Sequence, residues 1–132
     1  MYPTLRPDWQ EPLDSLPTDL FLYEKIEEWL SGFPGLAIVG AQGVPVSCPL
    51  AWYLRSRTGR PWRPMAEMVY TIPPGHVVKT GAEMELYSLQ MPQWVRHLVW
   101  LFDTCATDDR GYILAEEARR QLLKVSPVVF SR

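Results

Sequence analysis

The chain lacks most of the features that would name an activity outright. No run of about 18 apolar residues occurs, the length a membrane-spanning helix needs, so no membrane span is expected. The first residues, Met1-Tyr2-Pro3-Thr4-Leu5-Arg6-Pro7-Asp8-Trp9, hold no apolar stretch of the kind that drives export. Cysteine is scarce, at two residues far apart, and histidine equally so. Without an export signal the thiols are expected to be reduced and the protein cytoplasmic. No CxxC occurs, and His76 and His97 stand too far apart to suggest zinc. No excess of positive charge exists either. A formal charge of −2 argues against a fold dominated by non-specific phosphate binding, though not against a local basic patch. The sequence contains no GxSxG, HExxH, GxxxxGK[ST] or GxGxxG. No cofactor and no metal are therefore expected.

What is present is a chain of ordinary globular composition with two enrichments, 13 prolines and six tryptophans in 132 residues. At 47% apolar and 21% charged it is built to bury one core. Prolines 3, 7, 12 and 17 recur every four or five residues, which blocks both a helix and a central strand. Residues 1–17 therefore read as an extended arm with apolar anchors at Tyr2, Leu5, Trp9, Leu13 and Leu16, packed on its own domain or on a partner. Residues 18–132 read as a single α+β domain, about four helices on a small, mainly antiparallel sheet.

The first helix is expected over 18–32, capped by Thr18 and stopped by Gly32 and Pro34. Leu22, Ile26, Trp29, Leu30 and Phe33 make its inward stripe, with Glu24, Glu27 and Glu28 facing water. Leu36 to Val39 reads as a short strand. A second helix spans 49–58, opened by Pro49 and closed by Gly59. Strands are expected over 68–72, 76–79 and 84–89, punctuated by Pro73-Pro74-Gly75 and Thr80-Gly81. Helices three and four are expected over 92–103 and 114–124, with a closing strand near 128–130. No internal repeat is visible.

Cys48 lies where a glycine-containing loop meets the second helix. Unpaired N–H groups at a helix start favour a thiolate, which makes Cys48 the candidate nucleophile of a thiol-dependent enzyme. The competing reading is a small apolar residue filling the junction. The loop before it, Gly40-x-x-Gly43, lacks the lysine of a phosphate cradle, and Pro45 and Pro49 remove donors from it. A second candidate is the stretch from Trp52 to Arg63. Arg55, Arg57, Arg60 and Arg63 stand there with no acid among them, interleaved with Trp52, Tyr53 and Trp62. Trp52 is about 200° round the helix from inward Leu50, so it points outward. Arginine and tryptophan predominate at binding hot spots and also suit stacking on single-stranded nucleic acid. A solvated basic face paired with the acidic first helix would explain the same residues. Arg96, His97 and Trp100 form a further outward cluster on helix three.

The stretch Phe102–Glu117 superficially suits calcium. With Gly111 at the turn position, however, Ala106 and Arg110 fall where acids are required, Asp108 takes the third place and Glu117 the twelfth. A helix–turn–helix with capping acids is the better account. The sequence therefore leads to a non-catalytic binding or adaptor protein engaging a protein partner, or a second copy of itself, through Trp52, Arg55, Arg57, Arg60, Trp62, Arg63, Arg96 and Trp100. A nucleic-acid accessory role for the same stretch and a thiol enzyme centred on Cys48 are the alternatives.

Overall fold

Two helix–strand–helix units are tied together through their strands. The computed structural model describes residues 17–44, 47–65, 67–71, 88–106 and 109–126. The first unit is α1 (Tyr23–Ser31), β1 (Ile38–Ala41) and α2 (Pro49–Thr58). The second is α3 (Gln93–Phe102), β5 (Tyr112–Leu114) and α4 (Ala115–Lys124). Between them in sequence come β2 (Arg63–Met65), β3 (Met68–Tyr70) and β4 (Ser88–Gln90). The class is α+β, as the sequence implies. Among the described residues the strands form two antiparallel sheets, β1-β5 and β2-β3-β4. Residues 1–16 of the expected 1–17 arm, the strand over 76–79, most of that over 84–89 and the closing strand over 128–130 lie outside the described residues. No described helix is long and apolar enough to cross a membrane.

α1 starts later than its sequence suggests. Residues 18–20 form a turn instead of a first helical turn, and Leu22, extended at φ −89°, precedes the helix without a side-chain cap. Tertiary contacts hold this segment open. Leu20 is buried and its carbonyl accepts a 2.6 Å hydrogen bond from the Tyr53 hydroxyl, while Asp19 is drawn to Arg57. Leu22 is consequently 49% exposed and drops out of the inward stripe, which reduces to Ile26 and Leu30 with Trp29 and Phe33 on its flank. At the other end, Arg119 of α4 donates to the carbonyls of Leu30, in the last turn of α1, and of Phe33, just past it.

β1 pairs with β5 in the register Ile38↔Leu114, Gly40↔Ile113 and Ala41↔Tyr112, with a bulge at Val39. That bulge buries Val39 completely. Gly40 allows the strand to lie against the start of α2: a Cβ there would come within 2.7 Å of the Pro49 nitrogen and the Ser47 carbonyl oxygen. α2 runs over the expected residues. Proline occupies its first turn and Gly59 ends it in the left-handed conformation (φ 75°), donating to the Arg55 carbonyl. β2 was not among the expected strands, and its Pro64 lacks a ladder donor. The strand tolerates it by lying at the edge of the sheet, where one side needs no partner. The core draws on all four described helices and on β1, β3 and β5, and includes Ile26, Leu30, Val39, Leu54, Val69, Leu98, Ile113 and Leu122.

Candidate partner-binding surface

α2 divides its side chains cleanly. Leu50, Ala51, Tyr53 and Leu54 are buried, and the remaining arc carries Trp52, Arg55 and Ser56, spaced i, i+3, i+4. Trp52 is 38% exposed. Beside this arc runs the seam with α1, where Trp29 meets Phe33 edge-on at 5.1 Å and Tyr53 at 5.8 Å. Trp29, Phe33, Trp52, Arg55 and Ser56 together line a groove of about 510 Å³. Its walls are aromatic and its rim carries one guanidinium. Among the described residues no carboxylate pairs with Arg55 or with Arg63, which stands exposed on edge strand β2.

The other arginines of the stretch are committed to the fold. Arg57 donates to Asp19 at 2.7 Å and to the Tyr53 hydroxyl at 3.2 Å. The Arg57 hydrogen bond holds the Asp19 carboxyl below its ordinary value, and Asp19 in turn raises the Arg57 guanidinium. The competing reading paired this stretch with Glu24, Glu27 or Glu28 of the first helix; the acid that pairs with Arg57 is Asp19, ahead of α1. Arg60 is buried, contrary to its expected place on an open surface. Trp62 is corrected most sharply, at 1% exposed. Its Nε1 donates to Thr58 Oγ1 at 2.8 Å, and the same hydroxyl accepts from the Arg60 amide and donates to the Leu54 carbonyl. Thr71 Oγ1 donates to the Pro61 carbonyl at 2.6 Å, fixing the turn from the far side. The indole is thereby folded back into the core, its one polar atom satisfied.

On α3, Arg96 is half-buried and ion-paired with Glu67 at 3.4 Å. Trp100 is 62% exposed, with the His97 ring 6.0 Å away edge-on. It lies on the face opposite Val95 and Leu98, away from the groove residues of α1 and α2. The expected surface thus resolves into separate parts: Trp52 and Arg55 on the groove, Arg63 and Trp100 exposed elsewhere, and Arg57, Arg60, Trp62 and Arg96 engaged or buried. Trp29, Phe33 and Ser56 were missed as groove residues. Helical spacing gives part of the signal, since Trp29 lies about 60° from Ile26 and about 100° from Leu30, at the edge of the stripe; that Phe33 and Ser56 join it depends on α2 lying alongside.

Cys48 behaves as a packing residue. Backbone N–H groups of Leu50 and Ala51 do favour its thiolate, as its position at a helix start implied. Burial outweighs them and pushes the thiol up to about 11. It is 1% exposed, and the described histidine, His97, is on the outer face of α3. Cys105 is also buried and raised to about 11 by desolvation. Among the described residues no group of three potential ligands gathers for a metal. Glu117, the twelfth residue in a calcium register, has its carboxylate occupied by Arg120 and by Gln121 Nε2 at 3.0 Å. No family model, curated protein or solved structure matches the chain.

Proposed function

We propose that the chain is a non-catalytic binding or adaptor protein that engages a protein partner through the groove between α1 and α2, with Trp52 as anchor and Arg55 as polar rim. The observation that carries this reading is the aromatic groove itself: three large rings and a guanidinium with no carboxylate partner among the described residues, on one face. Desolvated aromatic pockets rimmed by arginine are where binding energy concentrates. The engagement of Arg57 with Asp19 and the burial of Arg60 weaken the nucleic-acid reading, since phosphate binding draws on several free cations at once. The burial of Cys48 removes support from a thiol enzyme. We place the protein in a reducing compartment, the cytoplasm, where the free thiols Cys48 and Cys105 persist.

Affinity capture of the tagged full chain, with and without nuclease, tests the reading. A protein partner retained after nuclease and lost by tenfold or more in Trp52→Ala is the expected outcome, with Arg55→Ala costing less. Capture that vanishes with nuclease and falls steeply with salt would transfer the surface to nucleic acid. Capture unchanged in Trp52→Ala would end the assignment.

A further inference from the structure

We infer that the α1–α2 groove takes a proline-rich, acidic peptide in extended conformation, with a proline ring against Trp52 and a carboxylate on Arg55. The inference rests on the groove being the docking site proposed above and names the class of its partner.

Length separates the ways a peptide could bind. The α2 wall runs from Trp52 to Ser56, one helical turn, or about 6 Å at the helical rise. A docked amphipathic helix is read through anchors at i, i+4 and i+7, about 10 Å of axis, which outruns this wall. Polyproline II advances about 3.1 Å per residue, so the same wall holds about two residues of extended chain.

Hydrogen-bonding capacity points the same way. Among the described residues no hydrogen bond occupies the indole N–H of Trp29 or Trp52, the Ser56 hydroxyl or the Arg55 guanidinium, whereas the indole of buried Trp62 is taken by Thr58. Indole and guanidinium groups only donate, so the ligand that suits them is rich in acceptors. A helix spends its carbonyls on its own N–H groups. Polyproline II makes no internal hydrogen bond, and proline presents a carbonyl with no N–H beside it. Such segments dock in aromatic-lined grooves.

Charge supplies the acid. No carboxylate lines the groove among the described residues, and Glu28, next to Trp29, faces Lys25 at 3.8 Å. Arg55 follows Trp52 by three residues, about 4.5 Å along the helix, which sets the carboxylate one or two residues from the stacked proline. The guanidinium counts against a cationic ligand between the same walls. Single-stranded nucleic acid would also stack on the indoles, but its phosphates recur at every nucleotide and the described lining offers them one cation.

Capped peptides Pro-Pro-x-Pro-Pro, with x as Glu, Gln or Lys, test the inference on the full ¹⁵N-labelled chain. Indole N–H resonances are read, assigned by Trp29→Phe, Trp52→Phe and Trp62→Phe. The Glu peptide is titrated to about 5 mM, so that dissociation constants up to about 1 mM are measured. It is expected to shift the Trp29 and Trp52 signals to saturation and to leave Trp62 still. The Gln peptide is expected to bind about three- to fivefold more weakly, the worth of an exposed ion pair, and the Lys peptide more weakly again. Arg55→Gln is expected to bind the Glu and Gln peptides alike, with an unchanged Trp62 signal reporting an intact fold. Groove indoles unmoved by the Glu peptide, or equal affinity for all the peptides, would overturn the inference. So would an oligothymidylate, or an alanine-based helical peptide carrying one Glu, that saturates the same signals at lower concentration. Loss of capture in Trp52→Ala alongside any of those results keeps the groove and assigns it a partner of other chemistry. Capture insensitive to Trp52→Ala would end the groove reading and this inference with it.

Discussion

Trp52 and Trp62 stand ten residues apart in one basic stretch, each next to or near arginines, and they meet opposite fates. Trp52 rides the outward arc of a regular helix and contributes a wall to a groove shared with Trp29 and Phe33. Trp62 follows the glycine that ends that helix. The chain turns there, and the Thr58 hydroxyl catches the indole nitrogen and sends the ring inward. Composition alone cannot separate the two. What separates them is a helix face in one case and one hydroxyl in a turn in the other.

The contrast is sharpest in stability. Trp62→Ala removes a fully buried ring and is expected to cost about 3–5 kcal/mol, whereas Trp52→Ala, at a ring 38% exposed, is expected to cost about 1–2 kcal/mol; urea unfolding measures both. Similar losses at the two positions would erase the distinction between docking surface and core. Thr58→Val keeps the volume but leaves the indole N–H buried without an acceptor. It is expected to cost about 1–3 kcal/mol, and Trp62→Phe, which discards the N–H, should offset part of that loss in the double variant. Additive costs in that cycle would mean that the hydroxyl does not fix the ring.

At the opposite end of α2, Cys48 should resist iodoacetamide at pH 8 in the native protein and react once urea unfolds it. Its thiol is raised in the fold from 9.0 to about 11, so between those pH values the unfolded chain loses its proton first. Stability is therefore expected to fall as pH rises from 9 to 11, and less steeply in Cys48→Ala. Rapid native alkylation would restore a chemical role to this residue. The smallest effect belongs to the Asp19–Arg57 pair. Because the Asp19 carboxyl is depressed, its contribution is present above pH 3.8 and lost as pH falls through the lower, folded value. Asp19→Asn should flatten that acid limb of a thermal-stability profile while leaving the limb above pH 5 parallel to wild type.

Much of the fold was legible from local chemistry. Pro49 and Gly59 bracket α2 at its observed bounds, and the apolar spacing of α3 and α4 places both within a residue or two. The departures share one cause, a distant partner overriding a local preference. Thr18 is a fair cap, yet Tyr53 and Arg57 hold the segment after it open. Pro64 argues against a strand, yet an edge position accommodates it. β5 was hidden within a loop because its pairing depends on β1, some 70 residues earlier. The site was half legible: the outward position of Trp52 follows from helical geometry, while the contribution of Trp29 and Phe33 required knowing which helix lies alongside. Cys48 shows the same limit in electrostatics, since the favourable N–H groups could be read from its position and the desolvation that overrules them could not.

Arg119 spans from α4 to the Leu30 carbonyl of α1 and the Phe33 carbonyl just past it, and so fastens the Phe33 wall to the opposite half of the molecule. A mutational screen for lost partner recognition should therefore recover hits at position 119, remote from any contact. A map drawn from phenotype alone would mistake that tether for part of the interface.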